Sequence, residues 1–246
     1  MEETPHITTQ EESLTELISA GVHIGHRPSR RHPKMQPYIF GRRGTIEVID
    51  VTKTQEALEQ ILERIREEAS KNSMVLFVGT KPHLTEPTEE AAKTCGMPYV
   101  TNRWIGGTIT NFAVISNRLA AFREKEREIT SEEFNRYTKA ERVKKIRIVE
   151  KLQKELGGIR NVAKLPSMLV LASLRSDMLA AKEARMKSIP TVAIVDSNAD
   201  PTLVDYPIPG NDDAASAVRI ILMKIAETIS ANRPADKAET TPKPTA

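Results

Sequence analysis

Hydrophobic residues fall into two kinds of pattern along this chain. MVLFVG (74–79), MLVLAS (168–173) and TVAIVDS (191–197) are short, nearly continuous apolar runs, the mark of strands buried on both faces. TIEVID (45–50), which alternates, and PYVTN (98–102) read as two further strands. Helical spacing fills the gaps. Leu14, Leu17 and Ile18 predict a short helix over 11–20. Leu58, Ile61, Leu62 and Ile65 share one face of a helix that Asp50 caps and that runs to about Lys71. Further helices are predicted over 85–95, closed by Gly96, over 176–187, and from Asn211 to about Ala231. Strands and helices in alternation predict an α/β fold: a doubly wound, five-stranded parallel sheet with right-handed crossovers.

The rhythm breaks once. Asn111–Glu128 carries Phe112, Ile115, Leu119 and Phe122 at helical spacing, and Thr138–Leu156 carries Val143, Ile146, Val149, Leu152 and Leu156, closed by Gly157 and Gly158. Narrow apolar seams on two charged helices joined by a short polar link predict an antiparallel coiled-coil hairpin inserted in the sheet domain. The domain reading is 11–107 and 159–231 for the α/β unit and 108–158 for the insertion, with 1–10 and the Pro- and Thr-rich 232–246 disordered. The insertion's two ends are expected to be close, so the α/β unit should fold without it.

A chain of 246 residues has room for one large domain with an ample core. The one cysteine, Cys95, excludes an intrachain disulfide and a multi-cysteine zinc site. No apolar run approaches the ~18 residues of a membrane span. The acidic N-terminal stretch has the form of neither a signal nor a transit peptide.

Net charge is only +3, so any nucleic-acid signal must lie in local clustering. It does. Ala20–Thr45 holds Arg27, Arg30, Arg31, Lys34, Arg42 and Arg43 and no acid, while its glycines and prolines forbid a long helix. Such a basic loop of fixed, irregular path suits a phosphate backbone; the bland reading is a solvated basic loop. From Arg103 to Lys164 fifteen Lys or Arg face eight Glu, a net of +7. Arg103 beside the sole tryptophan, and Lys144 and Lys145 on the second hairpin helix, join the RNA-contact candidates. Trp104 itself reads as a core anchor more readily than as a base-stacking platform.

VGTKPH resembles a phosphate-binding turn only faintly, lacking the dinucleotide and Walker glycine patterns. His23 and His26 can converge with Asp196, Asp200, Asp212 and Asp213 at the carboxyl ends of the strands. Such a set could hold zinc through N and O ligands; Asp212 and Asp213 could equally cap the last helix. No catalytic constellation is visible. An enzyme binding a phosphorylated small molecule at the sheet crevice is the alternative reading.

AGVHIGHR, HPKMQPYIFGRR, FVGTK, NRWIGGTITN, LGGI, IPTVAIVDSNADP and IPGNDDA, in this order over residues 14–231, closely resemble the bacterial-type small-subunit ribosomal protein number two ("S-two") family. The resemblance implies the doubly wound domain with its inserted hairpin, no catalytic activity and no required cofactor. It implies a cytoplasmic, ribosome-bound protein that is not a homo-oligomer. The partners implied are small-subunit ribosomal RNA, where head meets body near the messenger exit, and other small-subunit proteins, among them the large messenger-binding one. Some members carry a zinc ion, which would match His26, Asp196, Asp212 and Asp213. Two departures stand out: Pro82 where the family has a basic residue, and Ser173 and Arg175 where it has acids.

Overall fold

The structure is a computed structural model and describes residues 6–234. Helix α1 (His6–Ser19) leads into the basic loop. Its first turns occupy 6–10, where disorder was expected; residues 1–5 and 235–246, also expected to be disordered, lie outside the described residues.

The loop contains two 3-10 turns, Pro28–Arg30 and Pro33–Tyr38, each opened by a proline at its first position. It then forms strand β1 (Ile39–Arg43), which pairs antiparallel with β2 (Ile46–Ile49). The predicted strand over 45–50 is therefore present but does not belong to the main sheet. Gly44 takes φ +62° and turns the ribbon back on itself, and β2 buries alternate residues only, which suits a ribbon lying on a core rather than a central strand.

Helix α2 (Val51–Ser70) begins at Asp50, whose carboxylate accepts from the Thr52 N–H. Then follow β3 (Val75–Val78), α3 (Thr85–Thr94) and β4 (Tyr99–Val100). Helices α4 (Phe112–Thr130) and α5 (Lys139–Leu156) come next, then β5 (Met168–Leu171), α6 (Met178–Met186), β6 (Thr191–Val195), β7 (Tyr206–Pro209) and α7 (Ala215–Asn232).

The main sheet is parallel, in the order β4-β3-β5-β6-β7. Five strands were expected and five are present, but the fifth is β7 in place of the segment over 45–50. No strand is expected over the Pro-rich 206–209; β7 tolerates Pro207 and Pro209, which cannot donate to a ladder, because it is an edge strand, paired only with β6.

Two cores flank the sheet, and successive strand residues alternate between them. Val75, Phe77, Met168, Val170, Val192, Ile194 and Ile208 meet α2, α3 and α7 on one face. Leu76, Val78, Leu169, Leu171, Ala193 and Val195 meet α6 and residues of α4 and α5 on the other. The second core takes in Ile115, Leu119 and Phe122 of α4 and Val149 and Leu156 of α5. The two helices are also linked by the Lys145–Glu128 ion pair at 2.5 Å. Trp104 is buried in this core as an anchor, its ring N–H donating to Glu183 Oε1 at 3.0 Å.

Candidate nucleic-acid interface and metal centre

In chain order the parallel strands run second, first, third, fourth, fifth, so the winding reverses between β3 and β5. A crevice at the carboxyl ends of these two strands is where such folds gather functional groups. Here the protein's own side chains pair with one another. Lys81, just after β3, places its ammonium 2.7 Å from Asp212 Oδ1 and 3.0 Å from Asp213 Oδ1. Ser173, just after β5, donates to Asp212 Oδ2 at 2.5 Å. Thr80 donates to Asp177 Oδ1 through both its N–H and its hydroxyl. Burial pushes the Asp177 carboxyl up to about 6, against the pull of these bonds. Burial also raises Asp212, although Lys81 and Ser173 oppose the shift. Asp213 moves the other way: burial is outweighed by Lys81 and His26, which hold it below the usual carboxylate range.

His26 joins this network from the basic loop. Its Nδ1 lies 3.1 Å from Asp196 Oδ1 and its Nε2 3.3 Å from Asp213 Oδ2. The hydrogen bond to Asp196 raises the imidazole pKa, more than burial lowers it, and the nearby carboxylate charges add to the rise. One donor atom each from His26, Asp196 and Asp213 lies within 4.8 Å of the others. That spread fits a shared ion of ~2 Å bonds after small side-chain movements. The fourth expected ligand, Asp212, is held by Lys81 and Ser173 instead. Neither Asp212 nor Asp213 caps α7, whose N-cap is Ala214 with no side-chain bond. His23 and Asp200 are not in the three-residue group; Asp200 pairs with Lys34.

The loop that carries His26 is fixed on both sides. Gly25 N–H donates to the Glu47 carbonyl and Glu47 N–H to the His26 carbonyl, each at 2.9 Å, while His26 N–H donates to Ser197 Oγ at 2.8 Å. A Cβ on Gly25 would lie 3.1 Å from both Glu47 O and Ser197 Oγ, so close approach favours glycine here. His32 N–H adds a bond to the Ser197 carbonyl at 2.8 Å.

The six loop cations divide by this scaffold. Arg31 reaches the buried Glu47 at 2.9 Å, and Lys34 bonds Asp200 at 2.9 Å and Thr202 at 2.7 Å. These two are opposed by acids that lie outside the loop, so the absence of acids within it was misleading for them. Arg42 donates to the Gly44 carbonyl at 2.8 Å. Arg27, Arg30 and Arg43 make no ion pair among the described residues, and all three are exposed. Arg27 and Arg30 line one wall of an open cleft of about 480 Å³ that His26 and Asp213 also border. Arg103 and Lys144 are exposed as well. Lys145 is not free: besides pairing with Glu128 it sits 4.3 Å from the centre of the Tyr137 ring.

Lys81, Ser173 and Glu47 were not among the expected site residues, although Lys81 lies in VGTKPH and Ser173 stands out as a departure. The first two follow β3 and β5 directly, so their positions after apolar strands were a usable signal. Glu47 gave none, because an acid in an alternating strand is usually solvent-facing. Of the two departures, Ser173 is built into the network, Pro82 opens a short 3-10 turn, and Arg175 is exposed.

Residues 17–232 match the family model for ribosomal protein S2. The small ribosomal subunit protein uS2 of Syntrophobacter fumaroxidans is 41% identical over 221 residues, 90% of this chain and 81% of that protein. The uS2 protein of Petrotoga mobilis is 40% identical over 217 residues, 88% of this chain and 75% of that protein. With a doubly wound sheet, a histidine–aspartate network at its strand ends and this continuous match, the chain belongs to the ribosomal protein S2 family.

Proposed function

We propose that this chain binds small-subunit ribosomal RNA through the unpaired arginines of its rigid N-terminal loop. As a member of its family it is a structural protein of the small ribosomal subunit with a role in translation. The finer reading places it in the cytoplasm on the ribosome, where head meets body near the messenger exit. There it helps to dock the large messenger-binding protein and has no catalytic role. One observation carries the RNA reading: Arg27 and Arg30 border an open cleft, without internal ion pairs among the described residues, on a loop held from both sides. A loop already fixed loses little entropy when it meets phosphates.

Arg27, Arg30, Arg42, Arg43, Arg103 and Lys144 are the direct contacts in this reading, whereas Arg31, Lys34 and Lys145 position the backbone through their acid partners. Replacing Arg27 and Arg30 by Ala should flatten the salt dependence of ribosomal RNA binding by about two units of slope, one for each phosphate no longer neutralised. Arg31→Ala should instead lower the melting temperature, since it leaves the buried Glu47 carboxylate unpaired. Filter binding across a salt series reads the first effect, and an unchanged slope would sink it. The enzyme alternative loses support because Lys81, Ser173 and Asp212 are already paired with one another. A thermal shift induced by a nucleotide or sugar phosphate would revive it.

The donor set also favours a divalent metal, zinc being the ion the family suggests. His26, Asp196 and Asp213 would hold it, and Lys81 would keep Asp212 beside the centre. Its chemistry would be structural: tying the loop to the strand ends. Elemental analysis of purified protein should find zinc near one equivalent in the wild type and background in His26→Ala. Equal zinc in both, or none in either, discards the site.

A further inference from the structure

We propose that the outward face of α6 is a docking surface for an acidic amphipathic helix of another protein, with Leu179 and Met186 as its apolar contacts. The proposal goes beyond the RNA reading and stands or falls without it.

Size is distributed over α6 the wrong way round for its own core. The buried face is made of Ala180, Ala181 and Ala184, with Glu183 among them. The larger apolar side chains lie outside: Leu179 is 49% exposed and Met186 76%. Single exposed apolar residues are ordinary on a protein surface. These two differ because they are aligned. Seven positions apart, with Lys182 between them at the i+3 place, they share one face of the helix at a separation of about 10 Å. That spacing is the one by which helices recognise helices.

Gly106 lies beside Leu179. Its φ is not in the left-handed region, and among the described residues a Cβ there would meet only Leu179 Cδ2, at 3.9 Å. Neither the backbone nor crowding calls for glycine at this position. Its effect is outward: a bare shoulder next to the apolar pair, on which a second backbone can lie close.

Charge selects the occupant. From 173 to 187 the exposed charged residues are Arg175, Lys182, Arg185 and Lys187, and none makes an ion pair among the described residues. The two acids of this stretch, Asp177 and Glu183, are 1% and 4% exposed and bonded to Thr80 and Trp104. A complementary helix therefore brings an apolar stripe with carboxylates on its flanks. A second copy meeting this face with its own would set cations against cations. A phosphate backbone matches the charge but gives Leu179 and Met186 no partner, whereas Met and Arg are both enriched where proteins meet proteins. A nine-residue helix with two exposed apolar side chains has too little apolar face to settle in a lipid surface.

The test uses the full chain and two synthetic helical peptides of about 20 residues, long enough to hold a helix. One carries Leu along one face and Glu on its flanks; its twin has Lys for every Glu. Fluorescence anisotropy should show saturable binding of the acidic peptide and at least about tenfold weaker binding of the twin. Leu179→Ser/Met186→Ser should weaken the acidic peptide by about tenfold. Lys182→Glu/Arg185→Glu should weaken it as well and strengthen the twin. Gly106→Leu should weaken it by covering the shoulder. Melting curves of all three variants should match the wild type, since every altered side chain is on the surface. The Arg27→Ala/Arg30→Ala chain should bind the acidic peptide as the wild type does, which separates this face from the RNA loop. In small subunits assembled with a photo-crosslinking side chain at position 186, the adduct should fall on an acidic stretch of a protein. No saturable binding, equal affinity for the twins, wild-type binding by Leu179→Ser/Met186→Ser, or an adduct confined to RNA overturns the proposal. If Leu179→Ser/Met186→Ser instead abolishes binding to duplex RNA or phosphatidylserine vesicles, or self-association, the face has a different occupant and the proposal falls.

Discussion

Replacing Glu183 by Ala is expected to cost about 3–5 kcal/mol, because it leaves several buried donors without an acceptor, a melting shift on the order of 10 °C in a chain of this size. Glu183 is only 4% exposed, and its carboxylate is the hub of the segment that joins β4 to α4. Oε1 accepts from the Trp104 ring N–H at 3.0 Å and from Gly107 N–H at 2.8 Å. Oε2 accepts from Ile109 N–H at 3.0 Å, Thr110 N–H at 3.1 Å and the Thr110 hydroxyl at 3.0 Å. Alanine would leave these donors facing a void, and buried donors without acceptors carry their full desolvation penalty. Glu183→Gln should cost less, since it keeps one oxygen but turns an amide N–H₂ toward other donors.

The same site predicts a pH dependence. Burial pushes the Glu183 carboxyl up, but the Trp104, Thr110, Gly107 and Ile109 donors outweigh it and hold the folded value below the ordinary glutamate range. The contribution is therefore complete above the unfolded value of about 4.3 and fades as pH falls through the folded one. Denaturant titrations of wild type and Glu183→Ala should differ most near neutrality, with the gap narrowing in acid. A gap that stays constant down to about pH 3 would show that charge has no part in it.

Excising residues 108–158 and closing the chain with a short linker is expected to abolish cooperative unfolding. This reverses the expectation drawn from sequence. Ile115, Leu119, Phe122 and Leu156 are each 3% exposed or less and share one core with Leu76, Leu169 and Leu171 of the sheet. Burying four such side chains is worth on the order of 10 kcal/mol, comparable to the stability of a whole domain. Gly158 seats the return segment so closely that a Cβ there would lie 2.2 Å from the Tyr99 carbonyl oxygen. The excision also removes Ile109 and Thr110, two partners of Glu183. We propose that only the outer turns of α4 and α5 are dispensable. A sharp thermal transition in the 108–158 deletion would show instead that the sheet can cover its second face without them.

Much of the fold could be read directly because continuous apolar runs have one stable use, the centre of a parallel sheet. Val75–Val78, Met168–Leu171 and Thr191–Val195 all took that place. The edge was harder. Tyr206–Pro209 hid behind its prolines, and Ile46–Ile49 looked like a sheet strand because alternation alone does not name a partner. The site was partly legible for a similar reason. Strand-end loops converge, so His26, Asp196 and Asp213 could be grouped from topology. Which cations stay free could not be, since Arg31 and Lys34 are matched by Glu47 and Asp200, the latter 166 positions away. The outer faces of α4 and α5 obey another logic: Val143 and Ile146, expected at seam positions, remain 41% and 38% exposed.

The edge strand β7 matters beyond the folded monomer. A protein of the ribosome must exist for a time as a free chain before it is assembled, and an open sheet edge invites other strands to add on. Two of the four residues of β7 are prolines, which offer no N–H to an incoming strand, and the opposite edge, β4, is only two residues long. Neither end of the sheet presents a long ladder for a second copy to extend. Restoring a donor at the half-buried 207 is expected to make the waiting chain more prone to edge-to-edge aggregation.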